Sequence, residues 1–311
     1  MQGLLSLLFA SLLSLGSTAA IAADAKQPLP REVVINGIEL VLVPEGWFWF
    51  GVENGTRQHA VDARRPFFRD VKIWQDTFYI AKYEARARDF KRFMESKDVQ
   101  HRDQYWRGEK NGCAVRRNDA GEYYLTDAER DLPVTHMSWQ LADEFARGMG
   151  MRLPTETEWV KAARGPDRRL WPWGDEYPDD TFAAYAGNGD CAPVPVDGLS
   201  NGKSPYGAYN MAGNVYEYVA DWYNEERDLT LKDGARNPPL ATRGSKVEGM
   251  PQPMKVLKGG RWASNSSATS IYGRVLQLPD DSFICYGTRF AMDADTVREH
   301  LAHKTATVVV Q

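Results

Sequence analysis

The sequence predicts an α+β fold with low regular secondary structure and long ordered loops. Short alternating runs broken by turn residues open the chain, helical spacing is confined to its first half, and glycine, proline and aromatic residues crowd the rest. Residues 33–50, VVINGIELVLVPEGWFWF, set Asn-Gly and Pro-Glu-Gly turn signals among alternating apolar positions, which predicts strands and hairpins. Ile73 to Tyr83 repeats that character. In RDFKRFMESK, Phe90, Phe93 and Met94 fall at i, i+3, i+4 and predict one short amphipathic helix. A second helix follows in SWQLADEFARGMG, with Trp139, Ala142, Phe145, Ala146 and Met149 on one face and Gly150 as its stop. The third, in RLPTETEWVKAARG, starts at a capping box of Thr155 and Glu158 and ends at Gly165. From WPWGDEYPDD onward long helical periodicity does not return. With 26 Gly and 17 Pro in the chain, loops held by aromatic packing are expected there. Such loops leave carbonyls without sheet or helix partners, and a bound cation is one way to satisfy them. No repeat or low-complexity linker divides the chain, so one domain is read over 30–296, with a polar C-terminal tail over 297–311.

The 311 residues are 43% hydrophobic and 26% charged, with a formal net charge of -4. That is ordinary globular composition, and it argues against nucleic acid as a partner, because phosphate binding calls for a strongly basic surface. The first residues, MQGLLSLLFASLLSLGSTAAIAADA, run apolar from Leu4 to Leu15 and then turn small, with Ala20-Ile21-Ala22 as a cleavage site. They read as a signal peptide over 1–22; the alternative, a membrane anchor, needs a run of about 20 apolar residues. Nothing after residue 25 could span a bilayer, so the mature protein is expected to be soluble and not transmembrane. Three cysteines remain, Cys113, Cys191 and Cys285, for which one pair and one free thiol is the simplest arithmetic in an exported protein. The five histidines are scattered and suggest no zinc or iron constellation.

Eight stretches, VPEGWFWFG, FYIAKYE, LPVTHMSW, MRLPTETEWVKAARG, WPWGDE, YGAYNMAGNVYEYVADW, VLKGGRW and GTRF, together resemble the formylglycine-generating enzyme or sulfatase-modifying factor family over nearly all of the mature chain. The resemblance implies that family's fold, which is related to C-type lectins. It also implies a calcium site made by the side chains of Asn210 and Glu217 and the carbonyls of Gly213 and Val215. Oxygen-only ligands of this kind suit Ca²⁺ as a structural ion, although Asn-Met-Ala-Gly-Asn would serve equally well as a tight turn without metal. A second calcium site of the family would fall after WPWGDE, where this chain has Ala183-Ala184 in place of Ala-Asn; Asn188 and Asp190 are the substitutes at hand. The aromatics of WPWGDEYP and EYVADWY read as packing rather than as a carbohydrate platform. Arg152 and Arg289 read as ligand charges or as structural arginines bonding loop carbonyls. For Glu156 and Glu158, helix capping and solvation suffice.

Catalytic members, by that resemblance, carry two cysteines about four and nine residues after the Gly-Gly of the KGG segment, and here those positions are Ser264 and Thr269. Without soft thiolates neither copper binding nor disulfide exchange is available there, so no copper is expected. Iron is not expected either, because the family's iron-dependent members need a His-rich site and a further helical domain. The chain then resembles cysteine-lacking periplasmic members. One kind is similar to the TagR-type regulator of type VI secretion, which acts upstream of a membrane-spanning kinase; the other is similar to the PvdO-type maturation factor of a siderophore chromophore. The first implies a periplasmic partner protein or the outer domain of a membrane kinase, bound in a cleft walled by Arg261, Trp262, Ser264, Asn265 and Arg274. A lectin-like binder is a third alternative, resting on fold analogy alone.

Overall fold

The computed structural model describes residues 28–52, 70–96, 114–186 and 192–309. The leader read over 1–22, together with Cys113, Cys191, Asn188 and Asp190, lies outside those residues. Asn36 and Gly37 turn the chain with φ of 50° and 78°, the left-handed pair that joins twisted strands, and link β1 (Glu32–Ile35) to β2 (Ile38–Val43). β3 (Gly46–Phe50) and β4 (Val71–Gln75) pair into a separate two-stranded sheet, and β5 (Phe78–Ala81) returns to β2. Next come α1 (Ala87–Glu95), the small hairpin of β6 (Arg116–Arg117) and β7 (Tyr123–Tyr124), α2 (Trp139–Gly148) and α3 (Glu156–Arg164). Ser138 caps α2 by accepting from the Leu141 amide at 3.2 Å, and Thr155 and Glu158 close the expected box on α3.

The second half holds more strand than its composition suggests. It runs through β8 (Tyr216–Trp222), the short α4 (Glu225–Thr230), β9 (Lys255–Lys258), β10 (Val275–Gln277), β11 (Tyr286–Thr288) and β12 (Ala291–Asp293). It ends in α5 (Ala294–Ala302) and β13 (Ala306–Val308). One sheet has the order β12-β5-β2-β1-β13; the other has the order β10-β9-β8-β11, with β11 parallel to β8. The stretch read as a polar tail is therefore corrected. Residues 294–302 form a helix anchored by the fully buried Val297, and β13 adds the last strand to the open edge of β1. One buried valine and a three-residue strand whose Val308 stays exposed left only a faint trace in the sequence.

Phe145 on α2 meets Phe90 at 5.3 Å, Phe93 at 4.9 Å and Phe290 at 4.9 Å, joining α1 and α2 to the five-stranded sheet. Trp159 on α3 lies in a second core with β3, β4 and β8. Of the loop aromatics, Trp173 stacks on Trp171 at 6.2 Å and on Phe182 at 5.0 Å, whereas Tyr177 is exposed. Trp222 and Trp139 sandwich the Lys255 ammonium at 4.1 and 3.5 Å. Among the described residues no helix is long and apolar enough to cross a membrane. Three neighbouring strands of the second sheet deliver the functional segments: β9 runs into Gly259-Gly260, β8 begins at Tyr216-Glu217, and β11 leads to Arg289.

Candidate functional site

The loop before β8 is coiled by three left-handed residues, Asn210, Gly213 and Asn214, with φ of 51°, 83° and 61°. Gly213 is required for a second reason, since a Cβ there would lie 2.2 Å from the Ala184 carbonyl oxygen. Coiling brings the asparagine amides onto one carboxylate that carries no sequence signal, Glu84. Asn210 Nδ2 donates to Glu84 Oε2 at 3.0 Å and to the Val196 carbonyl at 2.9 Å, while Asn214 Nδ2 donates to the same Oε2 at 2.6 Å and the Val215 amide to Oε1 at 3.2 Å. Burial first, and then the charge of Glu217, push the Glu84 carboxyl up to about 8, against the pull of Arg289 and the two amides.

Glu217 itself is bound on both oxygens. Arg289 donates to Oε1 at 2.7 Å and to Oε2 at 2.6 Å, and the Trp159 indole donates to Oε2 at 2.7 Å. Arg289 spends its remaining donors on the carbonyls of Ala81 and Tyr209 at 2.9 and 2.7 Å, so of its two readings the structural one describes it. Both side chains of the pair are fully buried.

Does this loop suit a hard cation? Asn210 Oδ1 is buried with no hydrogen-bond partner, and the Val215 carbonyl faces the place where a Cβ of Gly259 would sit, 3.7 Å away. An orphaned buried amide oxygen is the one feature that fits a hard cation, since Glu217 is already neutralised by Arg289 and Glu84 is raised toward its neutral form. Among the described residues no three His, Cys, Asp or Glu side chains converge on a metal position, so a cation here would depend on amide and carbonyl oxygens. At the position of the family's second site, Ala183 and Ala184 are buried, and the Ala184 carbonyl is taken by the Asn214 amide at 2.9 Å.

Beside this loop lies the KGG segment. Gly259 and Gly260 have φ of 88° and 79°, and a Cβ on Gly260 would fall 2.9 Å from Thr269 Cα. The segment folds back on itself, which closes the two positions where thiols would stand. Ser264 Oγ accepts from the Arg261 amide at 3.1 Å and lies 3.1 Å from the Tyr216 hydroxyl; Thr269 Oγ1 donates to the Ser266 carbonyl at 2.9 Å and is fully buried. Trp262 is buried, its amide donating to the Asn214 carbonyl at 2.9 Å, while Asn265 is exposed and Arg261 half-buried. Cys285 lies buried beside Arg261, and burial pushes its thiol up to about 11 against that guanidinium.

Arg274 does not wall a cleft. It is held by Glu156, to whose carboxylate its Nε donates at 2.8 Å and its Nη2 also donates, and by Asp228 at 2.7 Å. Glu156 is therefore not a solvated cap residue either: it is buried, with Lys258 Nζ 3.6 Å from it as a second cation. Burial works to raise the Glu156 carboxyl, but Arg274 and Lys258 outweigh it and hold it at about 2. Arg152 is likewise structural, with both terminal nitrogens on Glu158 at 2.7 Å and a bond to Asp293 at 2.6 Å.

Comparison with known proteins matches this arrangement. The chain is 35% identical over 177 residues to the formylglycine-generating enzyme of Thermomonospora curvata, covering 52% of this chain and 55% of that protein. It is 29% identical over 231 residues to a protein of Chlamydia caviae named serine/threonine-protein kinase pkn1, covering 73% of this chain and 33% of the kinase. Thus it spans only about half, or a third, of these curated relatives. Among solved structures, PvdO from Pseudomonas aeruginosa superposes with a TM-score of 0.62 at 21% identity, over 86% of this chain and 99% of the other, a likeness of fold. The sulfatase-modifying factor enzyme 1-like domain matches residues 25–294, nearly the whole of the chain after its first 24 residues, and the chain belongs to that family.

Proposed function

We propose that this chain is a non-catalytic binding domain of the family, exported to the periplasm, that recognises a protein partner beside the KGG segment. The partner is a periplasmic protein, and in this reading the outer domain of a membrane kinase, whose activation it promotes in post-translational control of type VI secretion. One observation carries the non-catalytic part. By the family resemblance Ser264 and Thr269 stand where catalytic members carry thiols; their hydroxyls are committed to local hydrogen bonds, and the neighbouring thiol of Cys285 is buried and held protonated. The kinase part is supported by the similar stretch within the chlamydial protein named as a kinase. Export is supported by the apolar leader and its small-residue cleavage site.

Incubated with Cu(I), O₂ and a cysteine-containing sulfatase peptide, the purified protein is expected to leave the peptide mass unchanged. Crosslinking in a periplasmic extract is expected to capture a kinase outer domain. Formylglycine in the peptide would sink the non-catalytic reading, and oxygen-dependent turnover of a siderophore precursor would replace it with a maturation role of the PvdO type.

Within this reading the loop over 210–217 holds a structural Ca²⁺ through the Asn210 and Glu217 side chains and the Gly213 and Val215 carbonyls. The ion would take up the buried Asn210 Oδ1, which has no hydrogen-bond partner. Calcium at a hundred times its Kd should then stabilise the fold by about 2.7 kcal/mol over chelator-treated protein. Thermal unfolding in calcium and in EGTA measures this directly. Identical melting temperatures would leave the loop as a metal-free turn.

A further inference from the structure

We propose that the surface around Arg261 docks an extended peptide presenting a carboxylate side chain next to an apolar one. The inference rests on the binding-domain reading above and adds the chemistry of the partner. Its first support is charge. Arg152, Arg274 and Arg289 each hold carboxylates, whereas Arg261 has none within ion-pair distance among the described residues. Its neighbour is the protonated sulfur of Cys285, a weak neutral acceptor that leaves most of the five guanidinium donors for a ligand. A half-buried arginine without a counter-ion is matched by a carboxylate.

Apolar surface adjoins it. Phe283 and Ile284, immediately before Cys285, are 51% and 42% exposed. From Phe283 the rings continue inward, to Tyr286 at 5.7 Å and from Tyr286 to Tyr216 at 6.2 Å, whose hydroxyl lies 3.1 Å from Ser264 Oγ in the turn that carries Arg261. Exposed aromatic and apolar side chains beside one arginine are the composition of interface anchors.

The surface is also held in shape. The Ser264 amide donates to the Arg261 carbonyl at 2.8 Å, and the Phe283 carbonyl accepts from the amides of His136 and Tyr286 at 3.1 and 3.0 Å. Asn265 Oδ1 caps the turn by accepting from Ala268 at 2.9 Å, which leaves its exposed amide nitrogen for a peptide carbonyl. Little ordering is therefore required on binding. The acids of the same loop point to other partners: Asp281 takes the Gln277 amide at 2.6 Å. One cation is too few for a polyphosphate or an anionic bilayer, each of which needs several, and it suits a single side-chain carboxylate.

Panning random heptapeptides displayed on phage against the full chain tests this. Enriched peptides are expected to carry Asp or Glu within two positions of Leu, Phe or Tyr. A synthetic peptide of the enriched sequence should bind R261E at least about tenfold more weakly, with R261K intermediate and F283S/I284S also weakened. Its affinity for the unmodified protein should fall with salt. Unchanged melting temperatures show that the variants are folded, and R261K serves where R261E is not. Peptides enriched without an acid, or indifferent to R261E while weakened by N265A, would overturn this chemistry and leave the binding-domain reading standing. No enrichment at all would count against both.

Discussion

Arg289→Met is expected to cost about 3–5 kcal/mol of stability, the usual penalty for stranding one member of a buried ion pair. The carboxylate of Glu217 is fully buried, and without Arg289 its remaining donor among the described residues is the Trp159 indole. The carbonyls of Ala81 and Tyr209 would lose their donors as well. In a domain of this size the melting temperature should drop on the order of 10 °C, read by calorimetry or circular dichroism. A loss below about 1 kcal/mol would mean that Glu217 is held chiefly by something other than Arg289. The double variant E217Q/R289M should recover part of the loss, because the stranded charge is then gone. Calcium dependence separates the two roles of Glu217: E217Q should abolish any stabilisation by calcium, whereas Arg289→Met should retain it.

Arg274→Met is the second large effect, expected at about 3–5 kcal/mol near neutral pH by the same reasoning. It leaves Glu156 with Lys258, 3.6 Å away, and the weaker pull of Arg227, and deprives Asp228 of its ion-pair partner. The loss should depend on pH in a direction set by Glu156. Its carboxyl is held at about 2 in the folded protein, below the ordinary glutamate value of about 4.3. A depressed carboxylate contributes stability that is present above the unfolded value and lost as pH falls through the folded one. The difference between the original protein and Arg274→Met should therefore shrink between about pH 4.5 and 2. Asp221 runs the other way. Burial raises it to about 6 against the pull of Arg227, so acidification from 6 toward 4 favours the folded state through that group. Unfolding followed at steps across that range tests both signs. A mutational penalty that stays constant down to pH 2 would show that Arg274 contributes packing and not charge.

Both residues illustrate what local pattern can and cannot carry. The box of Thr155 and Glu158 and the Asn36-Gly37 hairpin depend on contacts within four residues, and each was legible where it stands, whereas the cap at Ser138, equally local, was not read. So were the family motifs, because their order along the chain is itself sequence. Arg274 was read as a cleft wall since it follows the KGG segment closely, yet its partner Glu156 lies 118 residues away. Nothing about an arginine in a loop says which distant carboxylate will neutralise it. Glu156 in turn sits in the first turn of α3, a position where an acid is explained by the helix end alone. Both readings were locally sufficient and globally incomplete.

Glu84 is the sharper instance. It follows β5 in FYIAKYE, a stretch quoted only for its resemblance, and no spacing in that stretch marks it as functional. Folding places it under Asn210 and Asn214, 126 and 130 residues on, where it accepts from both amides. Likewise the exposed pair Phe283-Ile284 gains meaning only through the tyrosines that connect it to Arg261.

By itself, then, the sequence determined the α+β class, three of the helices, the capping box on α3 and the turn at Asn36-Gly37. These follow from chemistry carried by single residues or by neighbours within one turn, where backbone conformation and side-chain type suffice. Only the tertiary structure decided which charges are spent and which are free: that Arg289 neutralises Glu217, that Arg274 neutralises Glu156 and Asp228, and that Arg261 keeps no carboxylate partner among the described residues. The physical reason is that burial fixes the worth of a charge, and burial is settled by strands and loops brought together from 46 to 118 residues apart.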